Sequence, residues 1–163
     1  MNATNYQSVW KNPIHFLACG FGAGTAKFMP GTWGTIVAIP LYLAMQAVLS
    51  PLYYMLVLIA AIIFGFWICQ VTAKDFGETD PPAIVWDEIV GFLLALWAAP
   101  NGWQWILAAF ILFRMFDILK PWPIKFIQEK LPGGFGIVAD DLMAGLYTWI
   151  IIQLVVWLLF GLD

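Results

Sequence analysis

The stretch LYYMLVLIAAIIFGFWICQVTA, residues 52–73, decides the fold class, because 22 residues pass in it without a charged side chain. At a rise of about 1.5 Å per residue such a helix covers about 33 Å, enough to cross a hydrocarbon core of about 30 Å. A helix that is apolar on every face has no side to offer water, so it belongs in lipid or at the centre of a large core. The rest of the chain favours lipid. Of its 163 residues, 63% are hydrophobic and 10% charged, where a soluble domain has roughly 45–50% and 25%. Seven basic and ten acidic residues are too few to cover a water-soluble domain of this length. A net charge of −3 without any Lys/Arg run excludes nucleic acid as a partner class.

Outward from that stretch, further apolar segments lie near 31–49, 84–99, 103–119 and 142–161. Together they predict an all-α, polytopic transmembrane helix bundle of about five spans, forming one membrane-embedded domain over 1–163 with 1–30 as an N-terminal segment. The segment at 84–99 carries Asp87 and Glu88 in its first turns, so a strict hydropathy count would demote it to a buried or re-entrant helix and leave four spans. Connections 49–52 and 99–103 hold no charge, whereas 1–34, 74–83 and 120–142 hold most of the Lys, Asp and Glu. With five spans, all seven basic residues and nine of the ten carboxylates share one membrane face, and only Asp163 lies opposite. The positive-inside rule makes that face cytoplasmic.

No signal peptide is expected at the N-terminus, where Lys11 is followed by Pro13 and the glycine-rich CGFGAG rather than by an apolar run. Cys19 and Cys69 are isolated thiols without the spacing of a disulfide framework or a zinc site. His15, the only histidine, is expected in a structural or interfacial role. Nothing in the sequence points to a protein partner.

Five carboxylates fall in or beside apolar segments: Asp87 and Glu88 in IVWDEIVG, Asp117 in FRMFDILKPWP, and Asp140 and Asp141 in GGFGIVADDLMAG. An unpaired charge at mid-bilayer costs about 2.5–3.5 kcal/mol, so these groups must be interfacial, paired or metal-bound. Asp and Glu without His or Cys partners are hard oxygen donors, suited to Mg²⁺, which bridges carboxylates to substrate phosphate. Arg114, Asp117 and Lys120 are spaced three residues apart along one helix side. Arg114 and Lys120 therefore fit as phosphate clamps, one a planar fork and the other a point charge. Upstream, GFGAGTAKFMPGTWGT leads into a helix expected to begin near Pro30 to Trp33, with Thr32 as candidate cap. The free N–H groups of such a helix start, around Gly31 and Thr32, suit a phosphate. The rival class is a small transporter or channel subunit that relays ions through its carboxylates; it requires polar groups continuing to the far face, and the outer helix halves here are almost wholly apolar.

The blocks NPIHFLACGFGAG, MPGTWGTIVAIPL, TAKDFG, IVWDEIVGF, FRMFDILKPWPI and GGFGIVADDLMAG stand in one order along nearly the whole chain. In sequence and spacing they resemble the phosphatidylglycerophosphatase A family of bacterial membrane enzymes. The resemblance implies Mg²⁺-dependent hydrolysis of phosphatidylglycerophosphate to phosphatidylglycerol and inorganic phosphate at the cytoplasmic side of the inner membrane, on a phospholipid substrate held in the bilayer. It implies that Asp87, Glu88, Asp117, Asp140 and Asp141 are the acidic site residues and metal ligands, and that Arg114 and Lys120 are the basic ones.

Other phosphatase machinery is missing. A cysteine phosphatase needs Arg six residues after its Cys, and those positions hold Thr25 and Asp75. Histidine-nucleophile lipid phosphatases need two histidines. An aspartyl-phosphate enzyme needs a DxD pair, which is absent. The remaining reading is a metal-held water attacking phosphate, with Arg114 and Lys120 stabilising the transition state.

Overall fold

The computed structural model describes residues 7–131 and 133–161, without the side chains of 127–129; Asp163, expected on the opposite face, lies outside the described residues. The described residues include the helices α1 (Pro13–Ala18), α2 (Pro30–Val48), α3 (Pro51–Phe76), α4 (Trp86–Ala95), α5 (Trp103–Leu119), α6 (Ile124–Lys130) and α7 (Gly133–Phe160). No strand occurs among the described residues.

Local chemistry sets the helix ends. Proline opens α1, α2 and α3, where its missing N–H and fixed φ cost nothing. Asn12 caps α1, its side-chain oxygen accepting from the Ile14 N–H at 2.9 Å. Gly77 ends α3 in the left-handed region at φ 71°, its N–H returning to Ala73 and Lys74.

Three helices are long and apolar enough to cross a membrane: α2, α3 and α7. The deciding stretch at 52–73 lies inside α3, whose 26 residues cover about 39 Å. Their outer faces carry exposed large apolar side chains, among them Ile59, Ile63 and Trp67 on α3 and Leu154, Trp157 and Leu158 on α7. A soluble protein would bury these; here they form the surface that meets lipid.

The helical part of the segment expected to span near 84–99 is α4, ten residues long and about 15 Å by helical rise, shorter than a hydrocarbon core. It is apolar because it is the centre of the bundle: Ile89, Val90, Phe92, Leu93 and Ala95 are buried. It packs on α2, α3, α5 and α7. A helix ending inside a bundle must find partners for its last carbonyls. Leu93 O accepts from the Tyr54 hydroxyl at 2.8 Å, and Trp97 O accepts from Trp149 Nε1 at 2.9 Å and Gln153 Nε2 at 3.3 Å.

α4 and α7 approach almost backbone to backbone. A Cβ on Gly145 would collide with the Gly91 carbonyl, and one on Gly91 would sit 2.6 Å from the Asp141 carbonyl. Small residues at a crossing let helices close in this way. The contact carries the N-terminal turn of α4 against Asp141. The segment near 142–161 likewise begins earlier than expected, at Gly133, so that Asp140 and Asp141 sit within α7 rather than before it.

Candidate active site

The first turns of α2 and α4, the N-terminal third of α7 and the C-terminal end of α5 meet at one end of the bundle around a cavity of about 400 Å³. Its walls include Gly31, Asp80, Asp87, Glu88, Arg114, Asp117, Lys120, Asp140 and Asp141. Eight of the nine residues expected at the site therefore line one cavity; Thr32 is next to Gly31 in the first turn of α2.

The five expected carboxylates divide into two groups. Asp87, Glu88 and Asp141 each offer an oxygen within 4.8 Å of the others. Asp87 Oδ1 and Glu88 Oε2 are buried and accept no hydrogen bond. Carboxylates stripped of water and crowded together need compensating positive charge. The N-terminus of α4 supplies a part of it, since its free N–H groups and dipole favour anions in the first turn.

Asp117 and Asp140 instead face the two basic residues. Arg114 Nη1 lies 2.6 Å from Asp117 Oδ2, one turn along α5, and 3.9 Å from Glu88 Oε1. Lys120 Nζ lies 2.5 Å from Asp140 Oδ2. Partial burial alone would lower the pKa of the Lys120 ammonium, but its hydrogen bond to Asp140 and the charges of Asp140, Asp141 and Asp117 prevail and hold it above the ordinary lysine value. Lys120 is thus a firm cation. Arg114 Nε is buried without an acceptor, so the guanidinium retains donor capacity toward the cavity's contents.

Gly31 contributes space. A Cβ there would collide with Glu88 Oε1 and come within 3.2 Å of Arg114 Nη1. Thr32, expected to cap α2, does not do so: Met29, at φ 49°, occupies the cap position without a side-chain hydrogen bond, because Pro30 already opens the helix one residue earlier. The Thr32 hydroxyl is buried without a partner.

Asp80 also lines the cavity, although in the sequence it stands among the loop charges of 74–83. Its signal was local: it precedes Pro81 and Pro82, a stiff pair that cannot enter a helix interior and that holds the carboxylate at the entrance to α4. His15 stands elsewhere. Its ring is buried, with Nε2 3.0 Å from Asp75 Oδ2 and Nδ1 3.0 Å from Ser8 Oγ. It fastens α1 to the end of α3, the structural role expected of it. Burial pushes the Cys19 thiol up to about 12, and both cysteines are free and buried.

A hard oxygen triad with orphaned oxygens, beside an arginine and a lysine each oriented by its own aspartate, has the donor set for a divalent cation and a phosphate together. Comparison with known proteins agrees with the phosphate part of that chemistry. A sequence model described as phosphatidylglycerophosphatase A matches residues 16–156. The chain is 46% identical over 142 residues to the phosphatidylglycerophosphatase A of Haemophilus influenzae, covering 86% of this chain and 87% of that one. It is 44% identical over 138 residues to the phosphatidylglycerophosphatase A of Escherichia coli, covering 84% and 80%. It is also 36% identical over 151 residues to a Bacteroides thetaiotaomicron protein named "Putative phosphatidylinositol-3-phosphatase", covering 88% and 93%. No solved structure matches the chain. With four of its six blocks lining one cavity and its length matched almost throughout, the chain belongs to the phosphatidylglycerophosphatase A family of lipid phosphatases.

Proposed function

We propose that the protein hydrolyses the terminal phosphomonoester of phosphatidylglycerophosphate, consuming one water and releasing phosphatidylglycerol and inorganic phosphate, with Mg²⁺ as cofactor. The observation that carries this reading is the triad of Asp87, Glu88 and Asp141, with oxygens within 4.8 Å of one another and two of them lacking any donor. These three residues would hold the ion. When bound, Mg²⁺ supplies charge neutralisation at the phosphate and a lowered pKa for water.

The chain's own residues do the rest. Arg114 and Lys120 bind the phosphate oxygens as negative charge develops on them. Asp117 and Asp140 position them, each within 2.6 Å of its cation. A carboxylate oxygen of the cavity that the ion leaves free takes the proton that leaves the attacking water. Gly31 leaves the space in which the phosphate meets Glu88.

The reading extends to the membrane. α2, α3, α5 and α7 cross it, and α4 with the turn after it makes a fifth passage, since Trp97 Nε1 reaches Pro51 O at the start of α3 while Asp87 stands at the charged end. The site then lies at the cytoplasmic face of the bacterial inner membrane, where the lysines of the sequence collect. The acyl chains remain in the bilayer.

The test is phosphate release from phosphatidylglycerophosphate in detergent micelles. Full release with Mg²⁺, loss with EDTA and recovery on adding Mg²⁺ back are expected. Release that persists in EDTA would overturn the metal assignment, and no release under any condition would overturn the substrate.

A further inference from the structure

A second cavity of about 370 Å³ adjoins the carboxylate site and serves no step assigned so far. The two share a wall made by Pro30, Pro81 and Pro82. The far side of the second cavity is built by the loop before α2 and the segment after α3, which bring Lys27 and Glu78 to its lining. Lys27 is exposed and makes no ion pair among the described residues. It differs in this from Lys120 and Arg114, which are both held by aspartates. A lysine left without a carboxylate at the edge of a cavity is a point charge available to an anion.

The proposed substrate has two phosphates on one glycerol. The terminal monoester is the reacting group; the other is a diester joining that glycerol to the diacylglycerol. The carboxylate cavity provides two cations, both set around the triad, and none is left there for the diester. We propose that the adjoining cavity is the subsite for the lipid-side half of the headgroup, with Lys27 binding the phosphodiester and Glu78 accepting from the free glycerol hydroxyl. The three-carbon glycerol then passes over the proline wall, whose ring-fixed backbone keeps the two cavities in register. This rests on the phosphatase reading above. It adds a source of specificity: lipids with a diester phosphate are preferred to those with a monoester alone.

The experiment compares dioleoyl phosphatidylglycerophosphate with dioleoyl phosphatidate, which has the monoester and no diester, in mixed detergent micelles. The readout is the ratio of kcat/KM for the first to kcat/KM for the second. In Lys27→Ala that ratio is expected to fall about tenfold, through KM, as for the loss of one hydrogen bond to a charged group; Lys27→Arg, which keeps the charge, is expected to restore most of it. A ratio in Lys27→Ala equal to that of the unchanged protein overturns the subsite, as does an equal fall in Lys27→Arg. Hydrolysis of both lipids by the unchanged protein with no effect of Lys27 leaves the phosphatase reading standing while removing this one. Absence of hydrolysis of either lipid removes both. Lys27 is exposed, so each variant is checked by its unfolding temperature, which is expected to stay that of the parent.

Discussion

Lys120 Nζ stands 2.5 Å from Asp140 Oδ2, an ion pair that ties the end of α5 to the N-terminal third of α7. Asp140 is almost fully buried and Lys120 partly so. Removal of the lysine leaves a buried carboxylate without its partner, a loss of up to about 3–5 kcal/mol in a dry site and less at one that water reaches. Lys120→Met is therefore expected to lower the unfolding temperature and to reduce turnover. Replacing both partners with apolar residues should recover part of the stability and none of the activity. The folded-state pKa of Lys120 is raised, so its contribution is complete below the unfolded value near 10.4 and is lost only as pH rises through the higher folded value. Thermal unfolding of the parent and of Lys120→Met between pH 7 and 9.5 should show a constant gap.

Gly31 lies against Glu88 Oε1 with no room for a methyl group. In a helix, alanine is favoured over glycine by about 1 kcal/mol. Gly31→Ala should therefore leave stability near the parent value while moving Glu88 and cutting phosphate release by about 100-fold, as mispositioning of catalytic groups does. Parallel activity and unfolding measurements check this; equal activity would remove Gly31 from the site.

Gly145 faces the Gly91 carbonyl across the α4–α7 crossing. Here an added methyl group meets backbone, which cannot rotate away. Gly145→Ala is expected to destabilise the protein by about 1–3 kcal/mol, the usual range for overpacking, and to reduce activity by shifting Asp141 relative to Asp87. A lowered unfolding midpoint in detergent is the readout.

A cation bound only by the folded state raises stability by mass action, by about 2.7 kcal/mol at a hundred times its Kd. Mg²⁺ should raise the unfolding temperature of the parent, and Asp141→Asn and Glu88→Gln should abolish that rise. An undiminished shift in both variants would place the ion elsewhere.

Cys19 and Cys69 are buried, and burial pushes the Cys19 thiol up to about 12. Because the thiolate is the reactive form, neither should react with iodoacetamide at pH 8 in the folded protein, and both should react in SDS. Mass spectrometry of the alkylated chain distinguishes the two.

The acidic blocks were legible because charge inside apolar sequence is costly and therefore marked. IVWDEIVG, FRMFDILKPWP and VADDLMAG each carry a carboxylate that lines the cavity. What sequence does not carry is the division of labour among them. Adjacent Asp140 and Asp141 are chemically identical, and they separate only because their side chains leave α7 in different directions, one to Lys120 and the other to Asp87 and Glu88. Asp80 was passed over for a related reason, since a loop carboxylate looks solvated until the chain folds it onto a cavity.

Composition and the stretch at 52–73 by themselves determined that the protein is helical and lives in lipid, because those depend on how much apolar side chain there is and in what unbroken lengths. The fate of 84–99 was decided only by tertiary structure. Hydropathy registers removal from water but not what replaces it, so α4, buried in protein, reads like a lipid-facing span. Its true length, the partners of its last carbonyls and the glycine contact that brings Asp141 to Asp87 and Glu88 all come from helices distant in sequence. The residues of the candidate site stand out in the chain, and their meeting is set by how closely α4 and α7 can pack.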